Sequence, residues 1–332
     1  MTGQRVLVAG ASGYVGREVV RDLQQHQHIA IAAVRAHNAD RRPDQNAVED
    51  ALGSAERVDL ALQDAVQLRD QIATCQPDVI VSCLASRSGV ASDAWRIDHD
   101  ANLALLEAAL ATGVRRFVLL SAICVQKPKL AFQKAKLKFE QALSASGIEF
   151  AIVRPTAFYK SIAGQVARVQ KGQPFLLFGD GRLTAAKPIS QRDLARFINQ
   201  QVEAATSPDT ILPIGGPEAP ITPRQQGELL FEITGKPARF RSVTPRILSF
   251  AGAVLTPPGR LSSRIAAGAE LARIGHYYAT ESMLLWDNAT QRYLPDATPG
   301  FGQDTLREFY QNVLQHGLAG HEPGHRKLFS AK

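Results

Sequence analysis

The sequence predicts an α/β protein: a doubly wound parallel sheet followed by a smaller, mostly helical C-terminal cap. Three observations carry that expectation. Short apolar runs alternate with helical periodicity over about the first 155 residues. The first run, Arg5 to Ala9, breaks into glycines at 10, 13 and 16 and then becomes helical. Beyond Thr156 the alternation gives way to helices separated by turn-rich stretches. Residues 1–156 are therefore expected to form a nucleotide-binding domain, and 157–332 mostly a substrate cap with some segments returning to the first domain.

Each element has its reason. Arg5 to Ala9 is short and apolar enough for a buried strand, and Gly13 to Gln25 repeats apolar residues at helical spacing. The glycines thus fall where a strand turns into a helix. There, a tight turn and close backbone approach let the pyrophosphate of a dinucleotide rest on the N–H groups and positive end of the helix. Gly10, Ser12, Gly13, Tyr14, Val15 and Gly16 are the residues of that turn, and the expected fold is a Rossmann domain.

The second strand, Ile29 to Val34, ends in Arg35, where a NAD-binding protein would carry an acidic residue for the ribose hydroxyls. Arginine there favours the 2′-phosphate of NADPH, with Arg41 and Arg42 in the loop beyond. Val58 to Leu60 is a short third strand with Asp59 at its end, placed to accept from an adenine amino group. Asp78 to Cys83 is the fourth, and Ala85 and Ser86 follow at its ligand-binding edge. A helix from Asp98 to Thr112 closes at Gly113, and Phe117 to Leu120 ends in Ser121. A helix carrying Phe132 and Lys136 runs to about Ser146, and the sixth strand, Phe150 to Val153, meets Arg154-Pro155-Thr156. The cap begins with a helix from Tyr159 to Gln170. A further helix, Gln191 to Ala205, has Ser190 as N-cap, and Thr222 to Thr234 and most of Pro245 to Ala279 read as helical.

Composition narrows the class. Three separated cysteines in apolar surroundings suit reduced thiols in a bacterial cytoplasm, and the N-terminus lacks the pattern of a targeting peptide. The apolar run Ile247 to Leu255 is about half of the ~20 residues that span a bilayer, so no integral membrane segment is expected, and contact with a membrane surface stays open. The net charge of +7 is scattered, which argues against nucleic acid and for an anionic cofactor or substrate. The histidines form no metal-ligand pattern.

The glycine turn with Ser121, Lys136 and Arg154-Pro-Thr156 resembles the atypical, extended short-chain dehydrogenase/reductases. Within them, Val81 to Arg87, Leu119 to Pro128 continuing into Phe132 to Glu140, and Glu281 to Leu284 with Thr298 to Leu306 resemble the divinyl chlorophyllide a 8-vinyl-reductase family. The similarity extends over nearly the whole chain. It implies NADPH as cofactor, a tetrapyrrole pigment as substrate, cofactor binding by Gly10, Gly13, Gly16 and Arg35, and a grip on the nicotinamide ribose by Lys136.

One departure from the wider superfamily has a chemical reading. Tyrosine ordinarily stands four residues before the lysine, and here Phe132 has no proton to give. Hydride transfer to a carbonyl creates an oxyanion that needs an acid. A vinyl group conjugated to a macrocycle delocalises the charge instead, so phenylalanine favours C=C reduction. Water, Ser121, Lys136 and Tyr159 are the candidate proton sources, and Phe132, Phe158, Tyr159 and Lys160 are placed to line the pigment cleft. Alternatives are an NADP-sensing regulator of the NmrA type without turnover, the active site having decayed, or a reductase of another conjugated apolar substrate. Arg35→Asp is expected to weaken NADPH binding far more than NADH binding in parallel titrations; equal effects would remove Arg35 as the discriminator.

Overall fold

The computed structural model describes residues 3–34, 50, 52–86, 90–204, 209–244 and 263–318. Arg35, Arg41, Arg42, Arg87 and the Ile247 to Leu255 run lie outside them. Seven parallel strands form one sheet in the order β3-β2-β1-β4-β5-β6-β8. They are β1 (Arg5–Ala9), β2 (Ile29–Ala33), β3 (Glu56–Val58), β4 (Val79–Ser82), β5 (Arg116–Leu120), β6 (Glu149–Pro155) and β8 (Thr210–Ile214). The strand order reverses between β1 and β4, which opens a crevice at their C-terminal ends.

Both faces of the sheet are covered, which is why its strands read as unbroken apolar runs rather than alternating ones. Val6 and Val8 of β1 face Val19, Val20 and Leu23 of α1 (Gly16–Gln25) and Leu194 and Ile198 of α8 (Gln191–Glu203). Leu7, Ile80, Phe117 and Leu119 face Ile72 of α2 (Ala65–Cys75), Leu105 of α4 (Ala101–Thr112) and Phe139 of α5 (Ala131–Ser144).

Local expectations meet three adjustments. The third strand is Glu56–Val58, so Asp59 falls just past its end. The helix expected from Asp98 starts earlier: α3 (Ala91–Ala94) passes through a π-helical segment, Trp95–Asp100, into α4. The helix expected over Tyr159 to Gln170 is broken into α6 (Tyr159–Ile162), a 3-10 turn and α7 (Val166–Gln170). Ser190 does cap α8, accepting from the Asp193 amide.

Beyond β6, α8 and β8 complete the sheet domain, and the remaining described residues cap its C-terminal edge. The cap combines α6, α7, α9 (Pro223–Thr234) and α11 (Leu306–His316) with a two-stranded parallel pair, β7 (Phe175–Phe178) and β9 (Phe240–Val243). Helix α10 (Ser263–Thr280) and the hairpin β10 (Leu285–Asp287) with β11 (Arg292–Leu294) dock on the loop between β5 and α5.

That docking is a clasp between two passages the sequence singles out. Gln126 donates to the Leu284 carbonyl and accepts from the Trp286 amide. Lys127 and Lys129 both donate to the buried Glu281, Lys127 at 2.6 Å, and Tyr293 donates to it at 2.6 Å. The Lys127 ammonium lies 3.9 Å from the centre of the Trp286 ring. Burial alone would raise the Glu281 carboxyl, but hydrogen bonds from Lys127, Lys129 and Tyr293 outweigh it and hold the group at about 2. A depressed carboxylate contributes stability that is fully present above its ordinary value of 4.5 and is lost as pH falls toward 2. The difference in unfolding midpoint between the wild type and Glu281→Gln is therefore expected to close as pH falls from 4.5 toward 2. A pH-independent difference in thermal melts would show that the clasp contributes no charge-dependent stability.

Candidate functional site

The glycine turn is built by backbone crowding. Gly10 has φ +80°, a region side chains disfavour, and a Cβ there would lie 2.9 Å from the Cys83 carbonyl at the end of β4. A Cβ at Gly16 would lie 2.2 Å from the Gly10 carbonyl, so the first turn of α1 settles onto the loop only with glycine there. The Gly13 amide closes the turn onto the Gly10 carbonyl at 2.9 Å. No side chain caps α1. A backbone cradle at the crevice, opening an uncapped helix, fits the pyrophosphate of a dinucleotide.

Around it stand other residues expected to bind cofactor or substrate. Tyr14 donates to Gln191 of α8, its ring is 6.2 Å from that of Phe158, and the Lys160 ammonium lies 4.5 Å over it. Phe158 and Lys160 therefore border the cofactor turn. Ser12 and Val15 lie within the turn, Asp59 follows β3, and Pro155 ends β6 beside β8.

The second half of the site is an ion pair absent from the sequence reading. Lys136 of α5 meets Asp98 at 3.0 Å, with both side chains nearly excluded from water. Asp98 also accepts from the Ser86 amide at 3.2 Å and hydroxyl at 2.6 Å. It thereby joins α5 to the Ala85-Ser86 loop after β4. The π turn that carries Asp98 is anchored by Asn102, which donates to the carbonyls of Ile97 and Asp98 and accepts from Ser82 on β4. Two polar residues four apart, Asp98 and Asn102, at the start of an otherwise apolar helix were the available signal. Placing the helix start at Asp98 hid it.

Phe132 lies one turn before Lys136 and packs with Ile123, Cys124, Leu130 and Tyr277. Burial pushes the Cys83 thiol up to about 12 and the Cys124 thiol up to about 11, with the nearby Lys136 charge opposing both shifts. Both thiols stay protonated, and all three cysteines are free.

Two candidate proton donors are held elsewhere. The Ser121 hydroxyl donates to buried Glu140 of α5, which Arg154 also binds, so its hydrogen is committed to that carboxylate. Tyr159 is buried in the cap core, and its hydroxyl donates to the Asp304 carbonyl. Burial foremost, then neighbouring carboxylates, pushes its phenol far above the ordinary range. Both hydroxyls are thus engaged, that of Ser121 with Glu140, one turn beyond Lys136 on α5, and that of Tyr159 with the Asp304 carbonyl of the cap. No group of three or more metal-binding side chains occurs among the described residues, and no helix there is long and apolar enough to cross a membrane.

The chain is similar to known proteins over most of its length. Residues 10–205 match the NAD(P)H-binding family. The chain is 44% identical over 331 residues to the chloroplastic divinyl chlorophyllide a 8-vinyl-reductase of Oryza sativa subsp. indica, covering 98% of this chain and 82% of the relative. Its counterpart in Arabidopsis thaliana is 42% identical over 330 residues, covering 96% and 79%. The fold is shared with an NADPH-dependent quinone oxidoreductase of Escherichia coli solved with NADPH (TM-score 0.67, 16% identity, 93% of this chain and 99% of that one). It is shared too with a UDP-glucose 4-epimerase of Thermotoga maritima (TM-score 0.65, 18% identity, 94% and 97%).

Asp98→Ala strands the Lys136 ammonium in a nearly dry site and is expected to lower stability by about 3 kcal/mol in urea unfolding. Replacing both, Asp98→Ala with Lys136→Met, is expected to recover much of that loss, because no buried charge remains unpaired. A double variant no more stable than Asp98→Ala would show that the two groups are not coupled.

Proposed function

The chain belongs to the divinyl chlorophyllide a 8-vinyl-reductase family, and on that premise we propose that it reduces the 8-vinyl group of divinyl chlorophyllide a, or of its protochlorophyllide counterpart, to ethyl. The cofactor is NADPH, which when bound supplies the hydride. The observation that carries the reading is Phe132, an apolar ring one turn from the ion-paired Lys136 where a carbonyl reductase needs an acid.

The chain's own residues divide the work. The Gly10 to Gly16 turn holds the pyrophosphate. Lys136, held by Asp98 and tied through it to Ser86, orients the nicotinamide ribose. Phe132 leaves no phenol to stabilise an oxyanion, which suits charge spread over a macrocycle. Tyr14, Phe158 and Lys160 close the cofactor side. The three free thiols support a reducing, cytoplasmic setting, and an apolar pigment is met most directly at the surface of a pigment-bearing membrane.

The reading of a sensor without turnover is disfavoured by the buried Asp98–Lys136 pair, an expensive arrangement for a site that only binds nucleotide. Incubating the protein with NADPH and divinyl chlorophyllide a is expected to shift the Soret band to the blue as the vinyl group leaves conjugation. NADPH-saturated protein that leaves the spectrum unchanged would sink the proposal.

A further inference from the structure

Lys136 and Glu140 stand four residues apart on α5 and are both buried, which places one above the other on the same face of the helix. Lys136 is paired with Asp98. Glu140 grips the sheet. It accepts from the hydroxyl of Ser121, the first residue beyond β5, and from Arg154 near the end of β6. The Arg154 Nε lies 3.2 Å from each carboxylate oxygen, and its Nη2 donates to one of them. The Ser121 amide donates to the Val153 carbonyl at 2.8 Å, so the two strands are joined at the point where the carboxylate holds them.

Apolar packing alone would set this helix loosely. Phe139 and Leu143 bury α5 against the sheet, but apolar contact is non-directional and leaves the rotation of a helix about its axis soft. Side chains end about 5–6 Å from a helix axis, so a rotation of ~10° swings a side-chain tip by about 1 Å. An error of that size in a group that places a reactant costs about 10²-fold in rate. The single tie to Asp98 leaves α5 free to pivot about it. A second tie one turn further on, anchored in β6 and at the end of β5, removes that freedom. Replacing a buried ion pair by apolar groups is often neutral for stability, so placement explains the Glu140–Arg154 pair better than stability does.

Resting on the vinyl-reductase reading above, in which Lys136 orients the nicotinamide ribose, we propose that Glu140 is a positioning residue for Lys136. Anchored by Ser121 and Arg154, it fixes the rotation of α5 and with it the placement of the Lys136 ammonium against the cofactor. Ser121 then serves the reaction through Glu140 and not as a proton source.

The test is a mutant cycle that places Glu140→Gln in the wild type and in the Asp98→Ala, Lys136→Met background. It is read in turnover and, without pigment, in the fluorescence lifetime of bound NADPH. Gln keeps one acceptor oxygen and turns an N–H donor toward Arg154 or Ser121, which loosens the grip. In the wild type, Glu140→Gln is expected to lower kcat by about 10–10²-fold with NADPH affinity within about threefold, because the Gly10 to Gly16 turn is untouched. The isotope effect from nicotinamide-deuterated NADPH is expected to rise, and the lifetime of bound NADPH to shorten. In the background without the ion pair, the same substitution is expected to change kcat and lifetime by less than about twofold, since the group it positions is gone. Ser121→Ala leaves the Arg154–Glu140 pair in place and is expected to show the same pattern with a loss of about 3–10-fold in kcat; it carries the cycle if Glu140→Gln does not fold. Equal losses in the two backgrounds, as a merely structural residue gives, or wild-type kcat and lifetime in the variants, overturns the assignment. Wild-type protein that leaves the Soret band in place overturns the vinyl-reductase reading, while the lifetime cycle, which needs no pigment, still decides the role of Glu140.

Discussion

A lysine ammonium drawn almost wholly out of water must be given a partner, and much of this site follows from how Lys136 gets one. Asp98 faces it at 3.0 Å because the helix before α4 opens into a π turn. The turn is held open by Asn102, and Asn102 is held by Ser82 at the end of β4. The same carboxylate holds Ser86, so the two walls of the crevice are tied through one buried group. In a low-dielectric site such a pair is strong only while complete, which ties the geometry of the loop after β4 to that of α5.

The second constraint is the replacement of a phenol by Phe132. With no hydroxyl on that turn of α5, the neighbouring surface is apolar and complements the cap: Phe132, Ile123 and Leu130 meet Ile274 and Tyr277. The cap is then locked by polar contacts at the rim, where Glu281 gathers Lys127, Lys129 and Tyr293. An apolar centre with an ionic rim is the economical way to dock two surfaces. Two of the passages that carry the family resemblance, Leu119 to Pro128 and Glu281 to Leu284, are distant along the chain and touch in this docking.

Much of the sheet domain was legible in advance because its signals are local. Glycines at 10, 13 and 16 state their purpose through spacing, and β1, β4, β5 and β6 declare themselves as apolar runs buried on both faces. The edge strand β8 escaped because Thr210–Ile214 is short, half exposed and interrupted by a proline. The helix ahead of Asp98 escaped because Ala91 to Asp98 carries little apolar periodicity and the π turn shifts what there is. Ser121 and Tyr159 looked like donors because their residue type and position allow it, but which acceptor each hydroxyl finds depends on how α5 and the cap pack.

What the sequence determined by itself was the class of chemistry: a dinucleotide turn, a basic residue after the second strand, and a lysine whose tyrosine has become phenylalanine within one helical turn. The turn and the basic residue are short-range and need only periodicity and valence to be interpreted, while the phenylalanine takes its meaning from the resemblance to the short-chain dehydrogenase/reductases. Tertiary structure alone decided the partners. Asp98 meets Lys136, Lys127 meets Glu281 across 154 residues, and Tyr277 meets Cys124 across 153. Hydrophobic periodicity records which face of an element is buried. It carries no information on which distant polar group completes a buried charge, and that choice is made only when the elements pack.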